Sequence, residues 1–345
     1  MRARWMSSVV AILMVFGLVI CGSWSQAQAV AAPQEVRIVV VNSMIKELPW
    51  NTGLVQALDR VVKEKPFGLE IKWNFVENVS PADAQRVMNE LAKTGKYDII
   101  WGHDPYPEAV KVLSKKYPDI LWVIAGAGNE VIGPNVYWVD EFLHEAGYLC
   151  GMIAGMMTKT DVVSVVASYP YPPINLPVNG FFDGAKSVNP NVKGKVTYIE
   201  AWLDPMKAKE SALAQVAAGS DFVYAERFGP FEACKEKGIG GFGHMVDQWD
   251  ITPEVVVSST MYMWDPVIEY VIKDWLNYKK TGKPLNAPQE RIIFTMKNGG
   301  VDIAPYHLWD KKIPQKVKDA VAKAKKDIIS GKLVVPQRPD KAVSD

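Results

Sequence analysis

Two stretches of this chain repeat one pattern, and that repetition restricts the fold more than any other feature. "FVENVSPADAQRVMNELAKTGKYDIIWGHDPYPEAVKVLSKKYPD", from Phe75, and "IEAWLDPMKAKESALAQVAAGSDFVYAERFGPFEACKEKG", from Ile199, run in register. Each reads as a short strand, a loop ending in Ser80-Pro81 or Asp204-Pro205, an amphipathic helix, a strand opening at Asp98 or Asp221, and another helix. Ser80 and Asp204 are N-caps, and a proline at the first helical position loses no hydrogen bond, because that N–H would be unpaired anyway. Strands alternating with helices of this length imply right-handed βαβ units and parallel sheets covered on both faces. The expected fold class is α/β, with two Rossmann-like lobes.

That architecture says where a ligand sits. In open α/β sheets it lies beyond the carboxyl ends of the strands, where loops and helix N-termini present free N–H groups. The repeat places His103, Asp104 and Tyr106 in such loops of the first lobe, and Trp202, Glu226, Arg227 and Phe228 in those of the second. The first strand, "VRIVVV", leads into "NSMIKELPWN", which adds Trp50 and Asn51. At the mouth of the strand ending at Ala225, Glu226 can accept ring N–H donors, Arg227 can donate to ring carbonyls and Phe228 can pack on a ring. Adenine offers an arginine only ring nitrogens, whereas xanthine-, urate- or guanine-like rings offer carbonyls, so this trio favours an oxygenated heterocycle.

Plainer roles compete with these. With 12 tryptophans in the chain, about half of Trp50, Trp101, Trp202 and Trp264 are expected to be structural. Arg227 can pair with Glu226 as a rim charge. Asp98 and Asp221 open strands and bind nothing. Gly151, Ala154 and Gly155 in "CGMIAGMMTKT" form a small-residue helix face expected to pack on a sheet.

The start of the chain bears on location. Arg2 and Arg4 precede an apolar run from Val9 to Ile20, shorter than the roughly 20 residues a membrane-spanning helix needs. Residues 1–29 read as a signal peptide, cut after Ala29 or Ala31 in "SQAQAVAAP", with lipidation of Cys21 in "LVIC" as the alternative. The mature chain is expected in the periplasm or on the extracytoplasmic face. Cys150 and Cys234 lie in apolar patterns and read as buried thiols. With 39 basic and 38 acidic residues, the chain lacks the electrostatic footprint of a nucleic-acid binder.

Several segments carry a family resemblance: "YDIIWGHDPYPEAVKVLSKKYPD", "GPNVYWVDEFLHEAGYLCGMIAGMMTKT", "VNGFFDGAKSVNPNVK", "WLDPMKAKESALAQVAAGSDFVY" and "GFGHMVDQ". Taken together they resemble the basic membrane protein family of substrate-binding proteins for ABC importers, over most of the mature chain. The resemblance implies a type I periplasmic binding protein, in which two lobes joined by hinge strands close on one small molecule, commonly a purine nucleoside or base. It implies a membrane permease as partner, a monomer and no cofactor. "ASYPYPPIN" and "EAWLDP" resemble a purine-base subgroup. Where nucleoside-binding members carry an acidic residue for the ribose hydroxyls, Met245 stands, and their lysine is missing around Met261 and Tyr262 in "SSTMYMWD". A flat heterocycle without sugar fits better. Met245, Trp264 and Asp265 complete the candidate contacts.

On this reading the first lobe comprises residues 34–139 plus about 260–295, and the second 140–258 plus about 296–340. The hinges are expected at Trp138 to Glu141, Ser258 to Met261 and Thr295 to Gly299. The chain shows no GxSxG, HExxH, P-loop or paired CxxC motif, and its four histidines are scattered. A non-enzymatic binding role is expected. The alternatives are an exported hydrolase using Asp104 or Glu226 as acid or base, and a binding protein feeding a sensor receptor.

Overall fold

The computed structural model describes residues 33–345, so the signal-peptide reading and Cys21 lie outside the described residues. The first lobe alternates β1 (Glu35–Val41), α1 (Pro49–Glu64), β2 (Glu70–Val76), α2 (Pro81–Lys93), β3 (Ile99–Gly102), α3 (Pro107–Lys116), β4 (Leu121–Ala125) and β5 (Val136–Glu141). The second contains α4 (His144–Met157), β6 (Val162–Ala167), α5 (Pro172–Val188), β7 (Lys193–Tyr198), α6 (Pro205–Ala217), β8 (Phe222–Ala225), α7 (Pro230–Lys237), β9 (Gly240–Gly243) and β10 (Val256–Tyr262). The chain then returns to the first lobe for α8 (Trp264–Thr281) and β11 (Ile292–Phe294), and ends in the second with β12 (Val301–Ile303) and α9 (Gln315–Ile329).

Two six-stranded sheets result, in the orders β11-β5-β4-β3-β1-β2 and β12-β10-β9-β8-β6-β7. The described pairings are parallel except β10 with β12. The sequence shows why: helices cover both faces, so the inner strands are near-continuous apolar runs such as "IVVV" of β1 and "LWVIA" of β4, buried throughout. The two lobes have the type I periplasmic binding protein fold.

The repeat is matched at its joints. Ser80 Oγ accepts from Asp83 N–H at 3.2 Å and Asp204 Oδ1 from Lys207 N–H at 3.0 Å, each capping a helix that begins with proline. Asp98 accepts from Arg37 N–H at 3.0 Å, while Asp221 accepts from the Thr158 hydroxyl and Lys159 N–H at 2.7 Å each. Both aspartates tie a strand's start to the preceding structure.

The small-residue face of α4 packs on a helix, not on a sheet. A Cβ built on Gly151 would stand 1.9 Å from the Phe181 carbonyl oxygen, and one on Gly184 of α5 1.9 Å from that of Tyr148. Glycines on both sides let α4 and α5 touch backbone to backbone. A sheet, whose side chains stand between it and a helix, permits no such approach.

The chain changes lobes between Glu141 and His144, between Tyr262 and Trp264, and between Phe294 and Val301. Asp140 and Glu141 thus remain on β5 in the first sheet, and Thr260 to Tyr262 on β10 in the second. Strand pairing carries each run to its last hydrogen bond, slightly beyond where the sequence pattern ends it. Among the described residues, no helix is long and apolar enough to cross a membrane.

Candidate functional site

Because the strands of each sheet run parallel, β12 excepted, their carboxyl ends share one edge. Asn42, His103 and Glu141 stand at the ends of β1, β3 and β5; Ser168, Glu226, His244 and Tyr262 at those of β6, β8, β9 and β10. The lobes meet here. The Trp50 ring of α1 meets the Tyr262 ring edge-on at 5.2 Å, and a Cβ built on Gly53 would lie 3.4 Å from Val246 Cγ1.

On the first lobe, most of the expected contacts are engaged with one another. His103 is fully buried, its Nε2 is 3.1 Å from the Trp50 carbonyl, and Trp50 stacks on its ring at 4.7 Å while donating from Nε1 to the His103 carbonyl at 2.8 Å. Burial holds the imidazole neutral, pushing its pKa down to about 3 against the pull of the Trp50 carbonyl. Trp264 is fully buried and packs edge-on against Trp50 and His103. Asn51 donates to the Ile45 carbonyl at 2.7 Å and to Asn42 Oδ1 at 3.1 Å, shaping the loop after β1. Asp104 accepts from Ser43 N–H at 2.9 Å, and the Tyr106 hydroxyl donates to the Val79 carbonyl at 2.8 Å. Both oxygens of Asp265 accept from Arg60, at 2.7 and 2.6 Å, tying α8 to α1. Trp50, half-buried, and the buried Trp264 both reach the lobe boundary, with ring centroids 5.2 and 6.1 Å from that of Tyr262.

The second lobe is more open. Trp202 is 48% exposed, with Tyr169 at 5.0 Å, Tyr171 at 6.1 Å and the Arg227 guanidinium 5.3 Å from its ring centroid. Tyr169 and Tyr171 stack at 5.3 Å with an interplanar angle of 13°. Their loop is anchored from α5, where Asn175 donates to the Pro170 carbonyl at 3.1 Å.

Glu226 does not stand free for a ligand. Its side chain is fully buried; Oε2 accepts from Ser168 N–H and Arg227 Nε, both at 2.8 Å, and Oε1 accepts from Arg227 Nη2. Arg227 keeps Nη1 without a protein partner among the described residues. Phe228 is half-buried and joins none of the aromatic pairs of this wall. The following Gly229 is obligatory: its φ is 119°, and an added Cβ would lie 2.2 Å from the Pro205 carbonyl oxygen. Met245, at a φ of 68°, leads from β9 and accepts at its carbonyl from Tyr262 N–H at 2.9 Å.

Sequence reasoning did not single out Tyr169, Tyr171, Glu141 or His244 as site residues. The aromatic spacing in "ASYPYPPIN" was a usable signal for the two tyrosines. Glu141 had none: it ends β5 fully buried with neither carboxyl oxygen hydrogen-bonded, and desolvation, then Asp140 and Asp265, push its pKa well above the usual range. Among the described residues, no group of three His, Cys, Asp or Glu side chains is placed to hold a metal ion. A surface hollow of about 670 Å³ lies along the edge strand β2, lined by Arg37, Lys72, Trp73 and Tyr97, away from the carboxyl edges.

Comparison with known proteins agrees with this geometry. Residues 35–338 match the family model described as Bmp, ABC transporter substrate-binding protein PnrA-like. A purine-binding protein of Brucella abortus is 27% identical over 290 residues, covering 83% of this chain and 79% of its own. The nucleoside-binding protein BmpA of Lactococcus lactis is 26% identical, covering 87% of this chain and 88% of its own. A solute-binding protein of an ABC transporter system from Conexibacter woesei superposes with a TM-score of 0.74 at 18% identity, covering 88% of this chain and 99% of its own, and shares the fold. Two parallel sheets with facing carboxyl edges, and a family match over nearly the whole described chain, lead to one assignment: the chain belongs to the Bmp family of ABC-transporter substrate-binding proteins, extracytoplasmic receptors that hand a small molecule to a membrane permease.

Proposed function

We propose that the chain binds one small aromatic heterocycle, of the purine-base type, between its lobes and turns nothing over. The observation that carries this reading is the partly exposed wall of Tyr169, Tyr171 and Trp202 beside Arg227, with Trp50 at the boundary of the other lobe. Aromatic faces stack on any planar base, and each such pair contributes about 0.5–1.5 kcal/mol beyond area burial. Arg227 offers Nη1 to a ring carbonyl. Glu226 takes Nε–H and one N–H of Nη2, so the edge left for a ligand is Nη1 with the remaining N–H of Nη2. Relatives named for purine and nucleoside binding support the ligand class, and Met245 in place of an acidic group supports a base over a nucleoside. A hydrolytic role for Glu226 or Asp104 finds no support, since structural hydrogen bonds engage both carboxylates.

Calorimetric titration against adenine, hypoxanthine, xanthine, urate and their nucleosides, with mass spectrometry of recovered ligand, tests the reading. Saturable binding of one unaltered base per chain, tighter for carbonyl-bearing rings, is expected. Catalytic conversion of any compound, or no binding across the panel, would overturn it.

A further inference from the structure

A buried polar chain leads from the interior of the second lobe to its aromatic wall. The His244 Nδ1 lies 2.6 Å from the Tyr224 hydroxyl and 3.4 Å from Thr260 Oγ1, and its Nε2 lies 3.4 Å from Glu226 Oε1. Glu226 in turn clasps Arg227, whose guanidinium covers Trp202. All but the last two of these side chains are buried.

The chemistry of the partners assigns the protons. The Tyr224 hydroxyl, 2.6 Å from Nδ1, donates into it, which leaves the proton on Nε2; Nε2–H then faces the Arg227-clasped Glu226 carboxylate across 3.4 Å, a dipole-to-carboxylate contact without hydrogen-bond geometry. We infer that His244 is a positioning residue for the ligand-contacting Arg227: Tyr224 fixes its tautomer, its Nε2–H orients the Glu226 carboxylate, and that carboxylate aims the guanidinium. This inference rests on the proposed binding of a carbonyl-bearing heterocycle at Arg227, and it assigns a cause to the ligand selectivity. Neither Tyr224 nor His244 touches the ligand.

The titratable groups around the imidazole are Glu226 and Arg227 beyond β8, and Tyr224 within it. Cys150 on α4 and Tyr262 on β10 lie further out and act on Tyr224 or share its field. Desolvation, and secondarily the Arg227 charge, hold His244 neutral far below its ordinary range. The imidazole is therefore expected to stay neutral from about pH 8 down to about pH 5, although a free histidine titrates inside that window.

The test uses the full-length mature protein and the variants Tyr224→Phe, His244→Leu and His244→Gln. Long-range proton–nitrogen NMR of the ligand-free wild type is expected to show a neutral Nε2–H imidazole throughout that window. It is also expected to show an Arg227 Nε resonance that shifts in Tyr224→Phe and His244→Leu. With xanthine and adenine as probes, His244→Leu is expected to lower the xanthine-over-adenine preference about tenfold, the scale of one charge-assisted hydrogen bond. Tyr224→Phe, which removes the donor to Nδ1 while burial still holds the imidazole neutral, should lower the same preference by releasing the tautomer. His244→Gln, which places an amide donor where Nε2–H was, should restore most of the preference, which separates positioning from mere core packing. An Nδ1–H tautomer in the wild type, an unmoved Arg227 resonance, or equal losses for xanthine and adenine would overturn the inference. If the NMR pattern is found but no base binds, the ligand reading fails and the relay stands.

Discussion

The Arg227 guanidinium rests 5.3 Å above the Trp202 ring while its own neighbour Glu226 holds it from below. Stacking and carbonyl recognition are therefore not independent. Removing the indole frees the guanidinium to move, and removing the guanidinium exposes a ring face. Trp202→Ala and Arg227→Ala should be non-additive for xanthine binding, with a coupling of about 0.5–1 kcal/mol, the scale of a cation–π contact at an exposed site. A double-mutant cycle by calorimetry measures it, and strict additivity would refute the coupling.

Acid should destabilise the fold through its buried histidines. His103 and His144 are pushed from an ordinary value of 6.5 down to about 3 and about 4, chiefly by burial. The unfolded chain therefore binds more protons than the native one below about pH 6.5, and stability falls as pH drops through that window. Each group contributes a slope of at most ~1.4 kcal/mol per pH unit. His103→Phe, which keeps a ring under Trp50, should flatten the acid limb measured by chemical denaturation.

Glu141 works in the opposite direction. Its carboxyl is raised well above the ordinary 4.5, so its contribution is intact below that value and is lost as pH rises, when the buried group must ionise or the structure must open. Glu141→Gln should become more stable than the wild type toward alkaline pH and roughly equal to it in acid. Denaturation midpoints of both proteins from about pH 4 to about pH 9 decide this, and parallel curves would count against it.

Gly151→Ala should be among the most damaging single-methyl changes in the chain. A methyl there would stand 1.9 Å from the Phe181 carbonyl oxygen, so α4 and α5 would have to separate. A loss of about 3 kcal/mol is expected by thermal and denaturant unfolding, with little effect for Gly133→Ala as control, a half-buried glycine where an added Cβ would meet nothing closer than 3.5 Å.

Asp265→Asn should leave ligand affinity unchanged and lower stability by less than about 1 kcal/mol. The bidentate pair with Arg60 is well formed, yet Arg60 is 40% exposed and solvent screens the interaction. A tenfold loss of affinity would instead place Asp265 against the ligand.

What could be read in the amino-acid sequence was local or periodic. Ser80-Pro81 and Asp204-Pro205 announce helix starts because the cap and the fixed proline φ act within four residues, and the repeat sets the parallel sheets. The resemblance also pointed to the family that the comparisons show. Side-chain direction was not legible. His103 lies in a strand-end loop, as expected, but α1 folds Trp50 over it and closes it off. Glu226 and Arg227 are adjacent in sequence, and only the way β8 ends, with one side chain inward and the other folded back, makes them partners. Pairing of α4 with α5 was equally hidden, because a glycine stripe marks close approach without naming what approaches.

The same glycine interlock limits how the protein moves. Helices in contact through their backbones cannot slide past each other, so the second lobe has no shear plane between α4 and α5. α4 begins directly after the first crossing, and Glu145 in its first turn accepts from Met296 N–H at 2.7 Å on the third. Both crossings are thereby tied to one stiff helix pair, so a displacement at either is passed to α4 and α5 together rather than absorbed between them.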